Sequence, residues 1–180
     1  MEELTTTERE RAIRLIEENR DRLCESVSGL SDAQWTFKPA PDRWSVLDNV
    51  EHLAVLGDRV RMRLSNFESA PPSPPDRSLR EIDAMLLTKV VDRSIKLKAP
   101  EPAEPNGRWT PVVAVEQYRT VCAGLTEVAQ TATGLREHAV PHPIFGPMDG
   151  YQWLLAAGAH SDRHNQQIAE VKSDANFPSE

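Results

Sequence analysis

The stretch "GYQWLLAAGAHSDRHNQQIAEVK", residues 150–172, decides how the chain folds. Trp153, Ala157, His160, His164, Ile168 and Val171 follow one another at steps of 4, 3, 4, 4 and 3. That rhythm puts all six on one face of a helix, the face that packs inward. Two imidazoles therefore fall on a stripe that should be apolar. A buried polar group costs free energy unless it meets a partner, and imidazoles at i and i+4 converge on a single ion as they do on the zinc-protease helix. The competing reading is a pair of core histidines bonded to neighbouring polar groups. The glutamate of an "HExxH" helix is missing, so the zinc-protease class itself is not supported.

Working outward, Asp149 is a good cap for this helix, which is expected over about 149–174. His138 and His142 repeat the i, i+4 spacing just upstream, but Pro141 lies between them and Pro143 follows. No regular helix survives there, so both are assigned to a loop. The preceding helix, about 112–134, would bury Tyr118, Val121, Cys122, Leu125 and Val128. An earlier one, about 45–68, opens with Ser45 and Asp48 at capping-box spacing and carries Val46, Val50, Leu53, Gly57, Val60, Leu64 and Phe67 at alternating steps of 4 and 3. The first, about 7–28, starts with Thr7 and Glu10 and buries Ile13, Ile16, Leu23 and Val27. Two proline-rich connections, "SAPPSPPD" (69–76) and "APEPAEPNGRWTP" (99–111), flank a shorter helical stretch from Leu79 to Leu97. No run reads as a strand. The expected fold is all-α, one domain over residues 1–180.

Composition narrows the function. With 28 acidic against 21 basic residues, a net charge of -7, the chain lacks the basic footprint that nucleic acid or an anionic membrane requires. The uncharged run "GYQWLLAAGA" is about half the ~20 residues of a spanning helix, and the acidic N-terminus has no secretory pattern. A cytoplasmic protein with a small-molecule partner is expected. Cys24 and Cys122 are read as reduced core residues. Nucleotide-binding glycine motifs, "GxSxG" and "CxxC" are all missing.

His52, in "WSVLDNVEHL" (44–53), sits two turns into the second long helix beside its apolar stripe. Taken singly it reads as a half-buried histidine bonded to a neighbouring carboxylate. Joined to His160 and His164 it would give three imidazoles, a set that leaves one position for water or substrate. Asp48 and Gln167 are possible orienting residues, each with an ordinary helix role as its alternative.

"WSVLDNVEHL" followed about a hundred residues later by "HPIFGPMDGYQWLLAAGAHSDRHNQQI" (142–168) resembles the DinB-like metal-binding four-helix bundle proteins over most of the chain. The resemblance implies a four-helix bundle with a long crossover, here with an extra helical segment, residues 77–98, between the second and third bundle helices. It implies a divalent metal, zinc or nickel, on His52, His160 and His164, while His142, Pro143 and Gly146 belong to a loop. It further implies a homodimer, and an enzyme that activates water or a low-molecular-weight thiol against a small electrophile, as a hydrolase or a bacillithiol-type S-transferase. A non-catalytic bundle that binds a metal or small ligand is the alternative.

Overall fold

The computed structural model describes residues 3–75, 78–95, 99 and 101–179. Six helices and one hairpin are present among them: α1 (Thr6–Ser26), α2 (Asp32–Thr36), α3 (Val46–Leu64), α4 (Leu79–Lys89), α5 (Pro111–Thr131), β1 (Ala139–His142), β2 (Gly146–Asp149) and α6 (Gly150–Lys172). The four long helices α1, α3, α5 and α6 form the bundle. Helix α1 packs on α5 and α6, and α3 packs on the same two, so the order around the bundle is α1, α5, α3, α6.

Side-chain pairings give the directions. Arg9 of α1 bonds the Ala129 carbonyl of α5 while Arg119 reaches Cys24, so these two run antiparallel. His52 lies against His160 and Arg63 against Trp153, so α3 and α6 are antiparallel as well. Gly57 abuts Val121 and Gly124 abuts Arg61, which makes α3 and α5 parallel neighbours. A parallel pair forces the chain to travel back the length of a helix, here ~28 Å for the 19 residues of α3. That return is the crossover. Helix α4 carries it along α6, with Asp83 bonded to Gln152 at one end and the Val90 carbonyl to Arg163 at the other.

The apolar stripes meet in one core that includes Ile16, Leu23, Val50, Leu53, Leu125 and Leu154. Ser45 with Asp48, and Asp149 with Gln152, close reciprocal capping boxes at α3 and α6. Below the core a single guanidinium ties three segments together: buried Arg136 meets Glu8 of α1 at 2.6 Å, Asp83 of α4 at 2.7 Å and Asp149 at 3.0 Å. No helix of the described residues is long and apolar enough to cross a membrane.

Several expectations need correction. The N-terminal capping box is Thr5 with Glu8, two residues earlier than Thr7 with Glu10. Helix α5 stops at Thr131 because Ala132 turns extended and Gly134 takes a φ of +65°. Residues 139–149 are not all loop: β1 and β2 pair antiparallel, Ala139 opposite Asp149 and His142 opposite Gly146. Each strand is only four residues long, and Pro141 faces Pro147 across the ladder, so the local sequence reads as a breaker. The extra helix ends at Lys89; Arg77, Lys96, Leu97 and Lys98 of the expected segment lie outside the described residues. Both cysteines are free, but only Cys122 is a core residue, with burial pushing its thiol up to about 12. Cys24 is half-buried, its sulfur accepting from Arg119 Nε at 3.2 Å.

Candidate metal centre

Helices α3 and α6 bring His52, His160 and His164 together across 108 residues of sequence. His164 Nε2 stands 3.1 Å from His160 Nε2, which stands 3.4 Å from His52 Nε2. Among the described residues this is the one set of three or more histidine, cysteine or acidic side chains whose ligand atoms converge, all within 4.8 Å of one another.

The other ring nitrogens show why the convergence is chemical. His52 Nδ1 donates to the Ala103 carbonyl at 2.7 Å, and His164 Nδ1 donates to Asn49 Oδ1 at 2.7 Å. The Asn49 amide cannot flip, because its Nδ2 donates to the Ser45 carbonyl at 2.7 Å. With their protons committed to Nδ1, His52 and His164 both aim Nε2 lone pairs inward. A neutral His160 has a single proton to offer from Nε2, so it cannot satisfy both acceptors, whereas a cation between the three nitrogens does. Two nitrogens bound to zinc at ~2.05 Å in a tetrahedron would stand ~3.3 Å apart, which the two short separations match. The residues therefore fit a divalent ion.

Surroundings hold the imidazoles neutral, as a ligand must be. His52 and His164 are buried, with Trp44 stacked on the His164 ring at 5.8 Å and tilted against His52 at 4.8 Å. His160 keeps an edge on solvent. Burial lowers the pKa of all three, strongly for His160 and His164, where repulsion from the neighbouring protonated rings adds to it.

The orienting groups were not readable as such. Asn49 is fully buried one turn before His52, and its polar side chain on an inward face was the available signal. The Ala103 carbonyl belongs to the proline-rich connection, where no side-chain pattern marks it. Glu51 anchors that connection, accepting from the Asn106 and Arg108 backbone amides at 2.8 and 3.1 Å and from Arg108 Nε at 3.0 Å. Asp48 does not orient His52; it caps α3 and pairs with Lys38 at 2.8 Å. Gln167 accepts from Arg93 at 2.8 Å instead of facing a ring of the triad. His138, expected in a loop, forms an isolated antiparallel bridge with Pro72 just before β1, and its ring bonds the Ala70 carbonyl at 2.6 Å. His142 ends β1 and stacks on Phe145, and it lines the cavity without joining the triad.

That cavity, about 800 Å³, runs along α3 and α6 from the three imidazoles to Trp153 and His142. Leu56, Val60, Val121, Leu125 and Ala157 give it apolar walls. Replacing Asn49 by alanine should leave His164 free to rotate and its Nδ1–H unpaired, weakening metal affinity ~10–100-fold. Competition with a chelator measures this; an unchanged affinity would show that Asn49 does not hold the ring.

A bundle with a parallel helix pair, a return crossover and three converging imidazoles beside a cavity defines a class of helical proteins built around a metal site. The chain belongs to the DinB superfamily, whose family model matches residues 15–168. The uncharacterized protein YuaE of Bacillus subtilis (strain 168) is 26% identical over 150 residues, spanning 81% of this chain and 88% of YuaE. Among solved structures, YfiT from Bacillus subtilis superposes with a TM-score of 0.65 at 16% identity, covering 97% of this chain and 91% of YfiT. YfiT is described as a probable metal-dependent hydrolase with an unusual four-helix bundle topology. At that identity the likeness concerns the fold.

Proposed function

We propose that this protein is a metal-dependent enzyme, with zinc or nickel held by His52, His160 and His164, acting on a small electrophile with water or a low-molecular-weight thiol as nucleophile. The observation that carries the reading is the aim of locked Nε2 lone pairs at one point on the wall of an 800 Å³ cavity. A bound divalent ion supplies Lewis acidity and lowers the pKa of a coordinated water or thiol. The chain's own contribution is positional. Asn49 and the Ala103 carbonyl fix two rings, Trp44 shields them, and the apolar walls hold the body of a substrate and displace water. Tyr118 lines the same cavity, and burial raises its pKa so that the phenol stays protonated. The description of YfiT as a probable metal-dependent hydrolase supports the hydrolase form of this proposal.

One feature favours the non-catalytic alternative. Among the described residues the carboxylates of the cavity wall are Asp42 and Glu170, and Glu170 is held by Arg93 at 2.7 Å and Arg43 at 3.4 Å. Neither is placed on the triad as a general base. Incubation of metal-loaded protein with a model electrophile such as monochlorobimane or p-nitrophenyl acetate, with and without glutathione or bacillithiol, separates the two. Mass spectrometry should find conjugate or hydrolysis product above the level given by His164→Ala. Equal rates for both proteins in every combination would leave a binding bundle.

A further inference from the structure

Among the described residues the cavity wall carries five arginines against two carboxylates, in a chain whose net charge is -7. Three of the five are engaged within the protein. Arg43 and Arg93 share Glu170, and Arg163 donates to the carbonyls of Val90, Asp92 and Ile95. Arg59 and Arg63 differ: among the described residues neither has a carboxylate or carbonyl acceptor. They stand four residues apart on α3, so their side chains lie on one face of the helix and both reach the cavity. The Arg63 guanidinium lies over the Trp153 ring, 4.3 Å from its centroid, and the Trp153 Nε1 is itself buried without an acceptor. Two like charges held near one another on an apolar wall repel, and the pKa of Arg63 is lowered by burial and by Arg59. His142, across the same end of the cavity, is lowered by burial and by Arg63. A cationic end without its counter-charge is what an anionic ligand would complete.

Spacing sets the size of that ligand. Trp153 lies seven residues before His160 on α6, a rise of ~10 Å. We propose that Arg59 and Arg63 form an oxyanion subsite that takes the carboxylate or phosphate of an elongated organic molecule whose other end reaches His52, His160 and His164, ~10 Å away. The position of the reacting end rests on the metal-dependent reading; the anion subsite does not.

Calorimetric titration of the full chain tests it, with octanoate and octyl phosphate as anionic probes and octanamide as the neutral probe of the same shape. Each probe is run on metal-free and metal-loaded protein. Either anion should bind at least ~10-fold more tightly than octanamide, with affinity falling as salt is raised. The tighter of the two names the oxyanion. Arg63→Gln and Arg59→Gln should each cost that preference about tenfold, and Arg63→Lys should restore part of it. Both side chains are exposed, so circular dichroism should show unchanged helicity in these variants. Anions that bind no better than octanamide, or a preference that survives in the double Gln variant, would overturn the proposal. Preference that occurs only with metal present and ignores both arginines would place the anion on the ion and overturn it too. Loss of metal binding with the arginine-dependent preference intact would instead remove the enzyme reading and leave the subsite standing.

Discussion

Replacing His160 or His164 by alanine should empty the metal site. Wild-type protein dialysed against zinc or nickel should carry about one ion per chain by elemental analysis, and each variant less than a tenth of that. Outer partners of a metal site are worth ~10–100-fold in affinity, and a ligand is worth more. The ion should also stabilise the fold by mass action, ~4 kcal/mol when its free concentration is 1,000 times Kd, and this increment should vanish in both variants. His138→Ala is the control, since that ring bonds the Ala70 carbonyl far from the triad. Full occupancy in the His160 and His164 variants, or loss of metal in His138→Ala, would show the site to be elsewhere.

The same imidazoles make the metal-free protein sensitive to acid. Unfolded, they take up protons near the ordinary value of 6.5; folded, burial lowers all three. The unfolded chain thus binds more protons below that pH, so stability is complete above about 6.5 and declines as pH falls toward the folded values. Urea unfolding at pH 7.5 and 5.5 should show a smaller loss in His160→Ala than in the metal-free wild type.

Arg136→Met should produce the largest loss of stability away from the site. It takes the shared guanidinium away from Asp149, which is fully buried, from Asp83 and from the partly buried Glu8. Removing one partner from a buried charge network costs ~3–5 kcal/mol because the remaining charges stay desolvated. For a chain of this size that is a fall in Tm of ~10 °C. Glu8→Gln, which leaves the guanidinium two carboxylates, should cost ~1 kcal/mol. A loss under about 1 kcal/mol for Arg136→Met, measured by urea unfolding, would mean that α1, α4 and α6 are not joined through this residue.

The helices were legible because each is a long amphipathic stripe, and two carry caps where the sequence places them: Ser45 with Asp48 at α3, and Asp149 at α6. His160 and His164 were legible for the same reason, since a stripe interrupted by imidazoles states its own anomaly, whereas His52 lies beside its stripe and joined them only through the pair and the family resemblance. Other features depend on partners distant in sequence. Asn49 becomes an orienting group only when α6 lies beside it, and the Ala103 carbonyl only when the crossover folds over α3. The hairpin of residues 139–149 is paired through its backbone, while its prolines argue locally against a strand. Which helices adjoin was equally hidden, because stripes report an inward face and not a neighbour.

The order of helices around the bundle has a kinetic consequence. Consecutive long helices α1 and α3 sit across a diagonal, and α5 and α6 barely touch, so no adjacent antiparallel hairpin can nucleate on its own. The pairs that do pack join residues such as Arg22 with Asp162, 140 positions apart, and Arg9 with Ala129, 120 apart. Relative contact order is therefore high for a helical protein, and loop-closure entropy must be met before most burial begins. Stopped-flow refolding should be slower than the microsecond-to-millisecond range of up-down bundles. Metal should accelerate it little, because His52 meets His160 only after the crossover has closed, and should act instead by slowing unfolding.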